Sequence, residues 1–126
     1  MKRPRLLVSL AVLGVLAAGC GGTQRYPLLM PAEAATDLFT HLETEALARR
    51  LPVRRGSDWL EASLPEGDTL MVRVEGQDRT IFLTVSVNAS GLSAEQTRAR
   101  HEQAKRRADE LVDAAKASRA RGRASE

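Results

Sequence analysis

Few residues in this chain could do chemistry. The nucleophilic and soft-metal candidates are one cysteine, Cys20, and two histidines, His41 and His101. The histidines are far apart and no second cysteine joins them, so the spacing that holds zinc is missing. Neither a Gly-x-Ser-x-Gly nucleophile turn nor a phosphate-binding glycine loop occurs. His41 borders one helical apolar stripe and His101 sits on another, so both read as surface or interface residues. Glu43 and Glu45 read as a solvated helix face rather than an acid pair. No catalytic, cofactor-binding or metal-ligating residue is therefore assigned. Two arginine clusters have the charge to meet anionic lipid, glycan phosphate or another envelope polymer: Arg49, Arg50, Arg54 and Arg55, and the weaker set Arg119, Arg121 and Arg123. Each reads first as an ordinary solvated helix end, loop or tail.

Cys20 is different, because of the stretch before it. Lys2, Arg3 and Arg5 make a positive start of the kind that stays on the cytoplasmic side of a membrane. Residues 6–19 form an uncharged, mainly apolar run. As a helix this run would be about 21 Å long, too short for a hydrocarbon core of roughly 30 Å. The small residues Ala17, Ala18 and Gly19 then lead into Cys20, the shape a signal peptidase accepts.

The stretch Leu16-Ala17-Ala18-Gly19-Cys20 resembles the lipobox of bacterial lipoproteins. The resemblance covers residues 1–20 and implies three things. The Cys20 thiol takes a diacylglycerol group, the chain is cut between Gly19 and Cys20, and residues 1–19 are a cleaved signal peptide. The commonest lipobox has Leu where this chain has Ala17; here Leu16 stands one place earlier. Gly21 occupies the position where an Asp commonly retains such proteins at the inner membrane of two-membrane bacteria, so the resemblance points to the outer membrane. Cys20 is also the only thiol, which excludes a disulfide within one chain.

Removal of the signal changes the charge balance. The chain has 19 Lys and Arg against 16 Asp and Glu, and three of the basic residues lie in residues 1–19. The remainder is balanced at 16 of each sign, so there is no global basic footprint for nucleic acid. The chain after Cys20 is long enough for one small domain.

From Cys20 onward the chain separates into four pieces. Residues 20–31, with Gly21, Gly22, Pro27 and Pro31, read as the lipidated cysteine and a flexible tether. Within it Leu28, Leu29 and Met30 either dock on the domain or lie against the membrane. A helix comes second, over about residues 31–50, where Ala35, Leu38, Phe39, Leu42 and Ala46 recur at helical spacing and Pro52 ends the pattern. Three strands come next, over about residues 59–64, 69–75 and 79–88. In the last two, Leu70, Val72, Val74, Ile81, Leu83, Val85 and Val87 alternate with mostly polar residues. Gly76-Gln77-Asp78 closes this pair as a hairpin. Asn88-Ala89-Ser90 matches a glycosylation pattern but reads as a turn. Ser93 and Gln96 form a capping box that opens a charged helix to about residue 119, with a frayed tail to residue 126. Lys105 with Asp109, and Arg98, Glu102, Arg106 and Glu110 in sequence, place opposite charges four apart. The contact stripe of this helix offers only Leu111 and Val112 as large apolar groups.

The expectation is an α+β domain: an N-terminal helix, a three-stranded antiparallel β-meander and a long charged C-terminal helix. Residues 32–92 would hold the core, with the 93–126 helix projecting, pairing with a partner helix or resting lightly on the sheet. The functional expectation is a lipid-anchored envelope lipoprotein that is structural or binds an envelope protein partner, touching membrane through Cys20 and needing no cofactor. The alternatives are a lipid-anchored enzyme or enzyme subunit with an unrecognised site, and a binder of anionic envelope polymers.

Overall fold

The computed structural model describes residues 22–124. The signal stretch, Cys20 and the last two residues of the tail lie outside the described residues. The domain is α+β, with a five-stranded antiparallel sheet and two α-helices. In chain order these are β1 (Thr23–Pro27), α1 (Ala35–Ala48), β2 (Val53–Arg55), β3 (Trp59–Ser63), β4 (Thr69–Glu75), β5 (Thr80–Ser86) and α2 (Ala94–Ala124). The spatial order of the strands is β1-β5-β4-β3-β2.

The expected meander is present as β3, β4 and β5, but the sheet has five strands rather than three. The two additions are its edges. Thr23–Pro27, expected to be irregular tether, pairs along β5 with Tyr26 opposite Leu83. Val53–Arg55 pairs with β3, Val53 opposite Ala62. An edge strand borrows its ladder from a neighbour, and short, polar edge strands that carry a proline are common. They leave little periodicity of their own to read.

The register of β4 and β5 puts Leu70 opposite Val85, Val72 opposite Leu83 and Val74 opposite Ile81. These side chains share one face with Leu60 and Ala62 of β3, and the helices cover it. From α1 come Ala35, Leu38, Phe39, Leu42 and Ala46, the stripe that the spacing predicts. A single 3-10 turn, Ala32–Ala34, precedes α1. The helix ends at Ala48; two residues on, Arg50 has a left-handed φ of 62°, and the Leu51 N–H donates back to the Ala46 carbonyl. Among the described residues no helix covers the opposite face of the sheet. Trp59, Met71 and Phe82 lie there, half-buried, among charged residues. Arg25 sits 4.1 Å above the Phe82 ring and pairs with Glu75.

The C-terminal helix departs most from expectation. Its capping box forms: the Gln96 N–H donates to Ser93 Oγ (3.1 Å) and the Ser93 N–H to Gln96 Oε1 (2.9 Å). It neither projects nor rests lightly. Ala104, Ala108 and Ala115 are wholly buried, Leu111 and Val112 nearly so, and all belong to the one core cluster. Alanine offers little area itself, but it lets the backbone of α2 approach α1 and β5 closely. The area gained is therefore largely the partner's. Nor is the tail frayed after residue 119, because the helix continues to Ala124. Arg119 Nε donates to Asp37 Oδ2 at 2.7 Å, and His41 Nδ1 lies 2.9 Å from Ser118 Oγ.

Near its start α2 is fastened by a buried ion pair. Asp68, 1% exposed, accepts from Arg100 Nε (3.1 Å) and from the Asn88 N–H (3.0 Å). The same guanidinium reaches the Glu66 carbonyl. Removing one partner of a buried pair leaves the other charge uncompensated, at about 3–5 kcal/mol. We expect Arg100→Ala to cost about 3 kcal/mol in urea denaturation, near the low end because Asn88 still serves Asp68. The exposed Arg98→Ala should fall within about 0.5 kcal/mol of the parent. Equal losses for the two would refute this role for the pair.

Candidate functional site

A cleft of about 560 Å³ runs between β1 and the first turns of α2. Gly22, Gln24 and Tyr26 form one wall. Ala94, Thr97, His101 and Lys105 form the other, and the exposed Arg98, Glu102 and Arg106 complete the lining. Local sequence explains this placement. Period two puts Gln24 and Tyr26 on the helix-facing side of β1. Thr97, His101 and Lys105 recur every four residues, one ridge of α2.

Gly22 closes the end of the cleft at which the described chain begins. Its φ of 82° is left-handed, and a Cβ there would lie 2.4 Å from Val87 Cγ2. The absence of a side chain lets its carbonyl accept from the Val87 N–H at 3.2 Å. Gly22 is thus a close-packing glycine, where a flexible tether residue was expected.

His101 is the buried polar group of the cleft wall, 5% exposed. Its Nε2 is 2.9 Å from Tyr26 Oη and its Nδ1 is 3.3 Å from the Gly22 carbonyl. Tyr26 Oη also lies 2.5 Å from Gln24 Oε1. Burial pushes the His101 imidazole below its ordinary value; the Gly22 carbonyl opposes this and the Lys105 charge adds to it. The ring is therefore neutral near pH 7. Burial, aided by Asp109, raises the Tyr26 phenol, which keeps its proton. Lys105 Nζ lies 4.3 Å from the Tyr26 ring centroid and pairs with Asp109 at 2.7 Å. Both ring nitrogens of His101 face protein atoms, so this arrangement pins β1 to α2 rather than presenting a base to solvent.

No family model, curated protein or solved structure matches this chain.

The structure distributes the residues singled out from the sequence. Cys20 lies outside the described residues, and the chain is first described two residues beyond it, at the cleft. His41 lies at the helix–helix join, 3.6 Å from Asp37, and His101 lies in the cleft, so the two histidines serve different contacts. Glu43 pairs with Arg55 and Glu45 with Arg49. Arg54 pairs with Glu61. Three of the four arginines of the denser cluster are thus neutralised in place, which removes much of its use as an anion patch. In the second cluster Arg119 is committed to Asp37. Of the charge pairs read along α2, Lys105 with Asp109 closes. Arg98, Glu102, Arg106 and Glu110 form no ion pair within 4.0 Å among the described residues. Among the described residues no group of His, Cys, Asp and Glu is placed to hold a metal ion.

Sequence reasoning missed the cleft because it missed β1. The one signal available was Tyr26, an aromatic residue in a stretch otherwise read as tether.

Proposed function

We propose that this protein is a lipid-anchored bacterial cell-envelope lipoprotein, held to the membrane through Cys20, with a small non-catalytic domain that is structural or binds an envelope partner. One observation carries the reading: residues 1–20, in which a basic start and an uncharged run lead through small residues into the only cysteine. By the same reading residues 1–19 are removed, and the domain faces away from the cytoplasm, on the outer membrane where the host has one.

On this reading the position of β1 sets how close the domain lies to the membrane. The strand starts at Thr23, three residues after Cys20. At about 3.3–3.6 Å per residue, the domain begins within roughly 10 Å of the lipidated residue. An eleven-residue tether would have allowed more than three times that reach. In this reading the domain is thus held against the leaflet surface. Among the described residues no helix is long and apolar enough to cross a membrane. On this reading attachment is through the acyl chains. Each buried CH₂ contributes about 0.8 kcal/mol, and two or more chains anchor stably. Of the two histidines, His101 has both ring nitrogens against protein atoms, which suits a structural role for it.

Metabolic labelling with a clickable fatty acid tests the anchor. The parent protein should be labelled and recovered with membranes, while Cys20→Ser should lose the label and accumulate with its signal uncut. Equal labelling of the two would end the proposal.

A further inference from the structure

We propose that the cleft between β1 and α2 receives the anionic headgroup of a membrane phospholipid. This rests on the reading that Cys20 carries lipid, and adds a second, protein-made contact with the same leaflet.

Proximity comes first. Gly22, which lines the cleft, is two residues from Cys20. That is about 7 Å of extended chain. A lipid on Cys20 therefore holds the cleft at headgroup depth. Leu29, 93% exposed, lies beyond the opposite end of β1.

Charge comes second. Arg98 and Arg106 both line the cleft, both are exposed, and neither has an ion pair among the described residues. Elsewhere Arg25, Arg49, Arg54, Arg55, Arg100 and Arg119 are committed to carboxylates. The cations left for an outside anion thus include two on the lining of the cleft, Arg98 beside the Gly22 end and Arg106 about 12 Å further along α2. Guanidinium groups suit phosphate, which they meet with two parallel hydrogen bonds. Glu102 stands between the two arginines on the helix, and Asp109 holds Lys105. The net positive charge is therefore small, and the site is weak for a ligand free in solution. It does not need to be strong. Anchoring through Cys20 turns the encounter into an intramolecular one at a high effective concentration of headgroups.

Shape comes third. The volume lies within the range of small-molecule sites. Ala94, the Thr97 methyl and part of the Tyr26 ring give the lining its apolar area, and the exposed Arg98 and Arg106 supply its cations.

The test uses the chain from residue 20 onward with Cys20→Ser, which contains every element of the fold and carries no lipid. Amide NMR spectra would be followed during titration with dihexanoyl phosphatidylglycerol, dihexanoyl phosphatidylcholine or inorganic phosphate. The glycerol lipid should give saturable shifts centred on Gly22, Thr97 and His101 that weaken as salt is raised. The choline lipid and inorganic phosphate should bind at least about tenfold more weakly, lacking net charge or the glycerol backbone. Arg98→Gln with Arg106→Gln should weaken the glycerol lipid by about tenfold or more while leaving Tm unchanged. The proposal is overturned if shifts do not saturate, if they centre elsewhere, if the double variant binds as the parent does, or if inorganic phosphate binds as tightly as the lipid. Because the tested chain has no acyl group, failure here leaves the labelling result at Cys20 standing, and loss of that result leaves this binding measurement standing.

Discussion

A chain ending at Gly91 should fail to fold. Such a truncation removes α2, which buries Leu111, Val112 and three alanines and covers α1 and β5. Leu38, Phe39 and Leu42, each wholly buried, then lose much of their cover. Returning a large apolar side chain to water costs about 1.5–3 kcal/mol, against about 5–15 kcal/mol for the whole stability of a native domain. Asp68 also loses Arg100, and Asp37 loses Arg119. Tyr26 loses His101, so the edge strand β1 loses its contact with the helix layer. The expected result is a chain with no cooperative thermal transition by circular dichroism and collapsed amide dispersion by NMR. A truncated chain that melts cooperatively within a few degrees of the parent would show that α2 is an accessory, and the α+β core would then end before it.

Reversing the character of one central residue should be nearly as severe. Val72 of β4 is wholly buried opposite Leu83. Val72→Asp places a carboxylate where no cation or donor stands, so either a charge is buried unpaired or the strand leaves the core. We expect a loss above about 4 kcal/mol, enough to unfold most of the population. Leu83→Asp should match it. Thr84 is one residue along on the open face, between Arg25 of β1 and Met71 of β4. Thr84→Asp meets solvent and a nearby guanidinium, and should stay within about 1 kcal/mol of the parent. Denaturant midpoints rank the three. If Thr84→Asp proves the most damaging, the helices cover the other face of the sheet.

The contrast between these two predictions separates what is local from what is not. The faces of β4 and β5 could be read directly, because alternation is a property of the strand itself: Leu70, Val72 and Val74 point one way whatever lies beside them. The apolar stripe of α1 and the capping box at Ser93 and Gln96 are local in the same sense, since each needs only its own few residues. The α+β class came from these pieces. So did the reading of residues 1–20, where charge, apolar length and a terminal cysteine lie side by side in the chain.

The rest depended on neighbours. β1 and β2 exist because β5 and β3 offer unpaired edges, and Thr23–Pro27 by itself carries two exposed polar residues and a proline that argue for coil. The seating of α2 was unreadable for a related reason. Its stripe of alanines looks poor when its own area is counted, but burial is shared, and the large side chains that α2 covers belong to α1 and the sheet. Pairings such as Arg100 with Asp68 and Tyr26 with His101 join residues 32 and 75 apart, which no spacing rule reaches. Most consequential is the length of the link after Cys20. Glycines and prolines in residues 21–31 describe a flexible tether when only local propensity is weighed. Pairing to β5 shortens that link to a few residues, because a ladder of backbone hydrogen bonds outweighs the weak preference of a short segment for coil. Local sequence thus carries the proposed anchor at Cys20, and tertiary pairing decides which surface of the domain stands nearest to it.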